Sequence, residues 1–149
     1  MLFRSALLLP IAVLSIHAAA QDVQQMPAEQ LAKIAKRAVE ILGTPTDAPF
    51  AVNADPAKAA GIKANGDAGV LAMPDRKLNA DALASAGKAV SGAAQIWMRN
   101  VVPVVGGAPA DAAKLRTVTY RDRDSEATVE VYFAGVSKTE EGTLELSDR

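Results

Sequence analysis

Leu31, Ile34, Ala35, Ala38, Ile41 and Leu42 recur at three- and four-residue intervals within QMPAEQLAKIAKRAVEILGTP, residues 25–45. That spacing gathers them on one face of a helix and leaves Lys33, Lys36, Arg37 and Glu40 elsewhere. Pro27 suits the first helical position, and Gly43 followed by Pro45 suits the stop. Glu29 and Lys33 are spaced for an i,i+4 ion pair. The pattern predicts a helix packed on its own domain's sheet, with docking on a partner as the alternative.

The period changes downstream. PFAV (49–52) has strand composition, and DPAKAAG (55–61) reads as one helical turn capped by Asp55, opened by Pro56 and stopped by Gly61. GIKANGDAGVLAMPD reads as a tight hairpin on Asn65-Gly66, whose turn positions favour positive φ. In that register Ile62, Leu71 and Met73 share a face, and Val70 and Ala72 point the other way. KLNADALASAGKAV predicts a short second helix with Asn79 as N-cap, a Leu78–Leu83 staple and a stop at Gly87. A small-residue loop then leads to a strand at QIWMRNVVPVV (95–105), where Pro103 marks an end, an edge or a bulge.

In the last third, KLRTVTY runs to the charged tip RDRDSE. ATVEVYFAGV returns, KTEEG turns with Gly142 at a left-handed position, and TLELS finishes. Val129, Val131 and Phe133 alternate with Thr128, Glu130 and Tyr132. The sum is an α+β fold: an N-terminal helix and a short second helix on an antiparallel sheet of about five or six strands, ending in a three-stranded meander. A β-sandwich or partly open barrel with peripheral helices is the alternative. There is no internal repeat and no second domain boundary.

The first twenty residues stand apart from this domain. MLFR carries a positive charge, the run from Ala6 to Ile16 is apolar, and HAAA precedes polar QDVQQ. That order is a secretory signal peptide, and Ala18 and Ala20 meet the small-residue requirement for cleavage before Gln21. The expected organisation is a signal at 1–20 and one globular domain at 21–149, exported to a bacterial periplasm or beyond. An uncleaved anchor fits less well, because the apolar run falls short of the roughly 20 residues that span a bilayer.

Cleavage removes His17, the single histidine, and the chain has no cysteine. The mature domain then has no Ser-His-Asp or Cys-His nucleophile, no thiol or imidazole metal ligands and no disulfide. No lipid can be attached to a cysteine, and no later segment is apolar for long enough to span a membrane. Loss of Arg4 makes the mature charge one unit more negative than the whole chain's −1, which argues against a nucleic-acid surface. No cofactor motif is present: VVGGAP (104–109) lacks the lysine and serine of a phosphate loop.

The remaining candidates are weaker patterns. Asp122, Asp124 and Glu126 alternate at the RDRDSE tip and would share one side of an extended segment, a donor set calcium accepts. The central glycine of a calcium loop is missing and Arg121 and Arg123 interleave, so a solvated hairpin tip explains the same residues. Ser85 and Lys88 match a serine–lysine dyad only loosely. Trp97 and Arg99 share one face of their strand, a composition typical of binding hot spots, and Tyr132 lies opposite Val131 and Phe133. The expectation is a protein that binds without catalysing. Trp97, Arg99 and Tyr132 are the candidate contacts for a small apolar or peptide ligand or a protein partner, and a homodimer would cover an apolar sheet face. A carboxylate-dependent envelope hydrolase and a purely structural or assembly role are the alternatives.

Overall fold

A computed structural model describes residues 23–42, 48–64, 66–105, 107–122 and 125–147. The expected signal segment with its expected cleavage point, His17, the helix stop expected at Gly43 and Pro45, Asn65 and Asp124 lie outside the described residues. In chain order the elements are β1 (Gln24–Gln25), α1 (Ala28–Leu42), β2 (Ala60–Lys63), β3 (Gly69–Pro74), α2 (Ala80–Ala84), β4 (Ser91–Arg99), β5 (Val104–Val105), β6 (Ala108–Pro109), β7 (Leu115–Asp122), β8 (Ser125–Lys138) and β9 (Leu144–Ser147). The main sheet is antiparallel in the order β1-β2-β3-β4-β8-β7, with β9 also on β8, while β5 and β6 form a small separate pair. One main antiparallel sheet and two α-helices make the fold α+β. Among the described residues, no helix is long and apolar enough to cross a membrane.

The core lies on one side of the sheet. Leu71, Met73, Trp97, Val129, Val131 and Phe133 project from the strands towards Ala35 and Ala38 of α1 and towards Val52 and Ala54. Met73 and Val131 are wholly buried, each stabilising the fold by about 1.5–3 kcal/mol relative to exposure. Residues 48–54 cross this side as a strap, and PFAV within it is not a strand. The strap fits because Gly92 and Gly135, opposite each other in β4 and β8, present no side chains. A Cβ on Gly92 would overlap the Ala51 carbonyl oxygen and lie 2.8 Å from Val52 Cγ2. A Cβ on Gly135 would run into Val90 and Phe50. The residues expected as a small-residue loop, 91–94, are therefore the start of β4, with side chains kept small by what lies across them.

Asp75 fastens the strap. Its Oδ2 accepts from Asn53 N at 2.6 Å and its Oδ1 from Lys77 N at 2.8 Å. Asp75→Asn would turn one acceptor into a donor facing a backbone N–H, and should cost about 1–2 kcal/mol in urea unfolding. An unchanged midpoint would show that the carboxylate holds nothing.

Several sequence expectations shift in register. The β2–β3 hairpin pairs Lys63 with Gly69 and Ile62 with Val70, so its loop is longer than Asn65-Gly66 alone. Ala64 N donates to Ala68 O across it, and Gly66 has φ +83°. One added loop residue moves Ile62 to the face of Val70 and Ala72, away from Leu71 and Met73. The strand expected at 95–105 ends at Arg99, where Asn100 takes a positive φ of 51°.

The C-terminal strands are not a meander. β8 carries β4 along one edge and both β7 and β9 along the other. At 14 residues β8 is long enough to pair with β7 over 125–132 and with β9 over 135–138, so β7 and β9 lie end to end. α2 also differs. Asn79 caps it by accepting from Ala82 N at 2.8 Å, but it ends at Ser85, before Gly87, and buries none of its five residues. So short a helix has no face to pack, and it is a surface turn rather than a second covering helix.

Candidate functional site

The two rows of α1 next to each other do different things. Leu31, Ala35, Ala38 and Leu42 recur along the helix and pack into the core. Ile34 and Ile41, about 60–80° round the helix from Leu31 at 3.6 residues per turn, are not in that core. Ile34 is 37% exposed, and both isoleucines line an open groove between α1 and the sheet. Arg37 and Lys33 follow them round the helix. The wall thus passes from apolar to basic over half a turn.

The groove has a volume of about 770 Å³, within the ~300–1,000 Å³ usual for small-molecule sites. Leu71, Trp97 and Val129 form its floor, Tyr120 stands on the β7 side, and Lys63, Asp67 and Arg99 stand at the end nearest the β2–β3 loop. Gly61 and Gly69 help to shape that end. A Cβ on Gly61 would lie 2.9 Å from Leu31 Cδ1 and from Met26 Sδ, and one on Gly69 would lie 3.4 Å from Met26 Cε. Without those side chains the start of α1 settles directly on β2, tied by Met26 N to Gly61 O at 3.0 Å.

Trp97 is held in place from below. Its Nε1 donates to Gln95 Oε1 at 3.2 Å, and Gln95 Nε2 donates to Val52 O at 3.3 Å. The indole sits between Leu71 and Val131 in the register of the three central strands. It is 6% exposed, so only a sliver of the ring meets the groove.

Charge around the groove is uneven. Arg99 Nη2 lies 3.0 Å from Asp67 Oδ2 and Arg37 Nη1 lies 3.8 Å from Glu40 Oε2. Lys33 and Lys63 have no ion pair with any described carboxylate, and the expected Glu29–Lys33 pair does not form. Glu40 and Asp67 are the carboxylates lining the groove, and each sits beside an arginine rather than beside the other.

Of the three candidate contact residues, the structure brings Trp97 and Arg99 together in the groove. Tyr132 lies on the opposite side of the sheet, buried beside Met98 and Ala134 under Val101 and Leu115. Ile34, Ile41, Lys33, Arg37 and Lys63 were not singled out as contacts from the sequence. The core contact of α1 uses Leu31, Ala35, Ala38, Val39 and Leu42, so the two isoleucines left over among the six patterned apolar positions are the available signal. Ser85 and Lys88 do not meet. The serine hydroxyl donates to Asp81 O at 2.8 Å, and Lys88 pairs with Glu140. At the charged tip Glu126 lies 3.8 Å from Arg121, while the side chains of Asp122 and Asp124 lie outside the described residues. Among the described residues, no group of three or more Asp, Glu, His or Cys is placed to hold a metal ion.

No protein-family model, curated protein or solved structure matches this chain.

Proposed function

We propose that this is a small exported bacterial envelope protein that binds without catalysing, taking a small apolar or peptide ligand into the groove between α1 and the sheet. The observation that carries the reading is the pair Ile34 and Ile41. Two large aliphatic side chains of α1 border a groove instead of the core. Covering them with an apolar ligand would remove their surface from water at about 25 cal/mol per Å². Export is supported by the basic, apolar and small-residue order of residues 1–20.

A second reading, a partner or second copy on the outer sheet face, is favoured by a different row. Ile62, Val70, Ala72, Ala94 and Ile96 are apolar and only half-buried on the side away from α1.

Native mass spectrometry of the protein expressed with its own N-terminus and purified from the periplasm tests both. The expected covalent mass begins at Gln21, and the expected non-covalent species is a monomer carrying an additional small-molecule mass. A full-length covalent mass would overturn the export reading. A bare dimer would move the function to the outer face, and a bare monomer indifferent to apolar probes would overturn ligand carriage.

A further inference from the structure

We infer that the groove's ligand is a free, single-chain anionic amphiphile: an apolar chain lying along Ile34, Ile41 and Trp97, with a carboxylate head between Lys33 and Lys63. This rests on the groove being the binding site and adds the chemical class of the ligand.

Three observations carry it. First, the chain as a whole has an acidic excess, with net charge −1. The groove reverses that sign, because Lys33, Lys36, Arg37, Lys63 and Arg99 line it against Glu40 and Asp67. Second, the two arginines already face those two carboxylates, which leaves the lysines as the uncompensated charge. They stand on different walls, Lys33 and Lys36 on α1 and Lys63 on β2. Lys63 is half-buried without a described counter-ion, and a cation partly withdrawn from water gains when an anion joins it. Third, the order of side chains round α1 is graded. Apolar Ile34 and Ile41 lie next to the core, and basic Arg37 and Lys33 lie beyond them towards solvent. A molecule that is apolar at one end and anionic at the other satisfies that gradient. A neutral chain leaves the lysines unused, and an acidic peptide leaves the isoleucines uncovered.

The probe is dodecanoate below its micelle concentration, added to the mature protein while the emission of Trp97, the sole tryptophan, is followed. Dodecanol and dodecyltrimethylammonium supply the same chain with a neutral and a positive head. The expected result is a saturable one-to-one change with dodecanoate, at least tenfold weaker binding of the other two, and weaker dodecanoate binding at high salt. The double variant K33Q/K63Q should bind dodecanoate about three- to tenfold more weakly, with its thermal midpoint unchanged.

Equal binding of all three chains, or dodecanoate binding unchanged in the double variant, would overturn the head-group inference while leaving a groove that binds apolar chains. No response to any chain would overturn the groove reading itself. Tighter binding of an oligoglutamate peptide, or co-sedimentation with anionic phosphatidylglycerol vesicles in preference to free dodecanoate, would assign the basic rim to a peptide or a membrane surface instead.

Discussion

Trp97→Ala is expected to lower the unfolding free energy by about 3–5 kcal/mol, a large share of the 5–15 kcal/mol typical of a domain. The indole is 6% exposed and lies in register between Leu71 and Val131. Its loss removes the largest side chain from the centre of the core and takes away the donor that satisfies Gln95 Oε1. The void opens onto the groove, so water can enter, and that should hold the cost towards the lower end of the range. Urea unfolding followed by far-ultraviolet circular dichroism measures it, since the variant has no tryptophan to report. Trp97→Phe separates the two contributions. It keeps most of the apolar contact and loses the N–H, so about 1 kcal/mol of the loss should remain. A change below about 1 kcal/mol in the alanine variant would mean that the residue is not part of the core.

Gly92→Val should cost about 3 kcal/mol or more, at the upper end of what overpacking does. Valine is ordinarily favoured over glycine in a strand, so propensity alone gives the opposite sign. The obstacle here is backbone. A Cβ at this position overlaps the Ala51 carbonyl oxygen and comes within 3.0 Å of Ala51 C. A flexible side chain could rotate away, but the strap cannot yield without breaking its bonds to Asp75 and Gln95. Gly87→Ala is the control. Nothing lies within 4 Å of its Cβ position, so it should be neutral or stabilising by up to about 1 kcal/mol. Thermal unfolding of the two variants side by side checks the contrast, and similar midpoints would show that the strap is not seated on Gly92.

Features set by a short spacing within one element were legible in the chain. Alternation along β4 puts Trp97 and Arg99 on one face, and the structure places both in the groove. Asp55 and Asn79 cap the turns that follow them because a cap needs only an acceptor and the next two or three N–H groups. What depended on distant chain was not legible. Residues 91–94 look like a loop until the strap that needs their small side chains is placed across them. The hairpin at Gly66 differs from the two-residue turn by one position, and that single residue exchanges the two faces of β2. The core row and the groove row of α1 carry similar aliphatic residues. Only the position of the sheet beneath the helix separates Ile34 from Leu31. Tyr132 has the alternation of an outer-face residue, and the covering by Val101 and Leu115 is a long-range event that period two cannot reveal.

The sharing of β8 among three neighbours has a consequence for the order in which the molecule is made. Synthesis runs from the amino end, so β4, already paired with β3 on one side, is available before any part of its long partner β8 exists. The β7–β8 and β8–β9 hairpins close locally, but the ladder between Ser91–Met98 and Glu130–Val136 joins segments made well apart in time. Until β8 is made, the far edge of β4 has unpaired N–H and C=O groups along a strand containing Ile96, Trp97 and Met98. Such an edge is a template for strands from other chains, and the nascent protein is most exposed to mispairing in that interval.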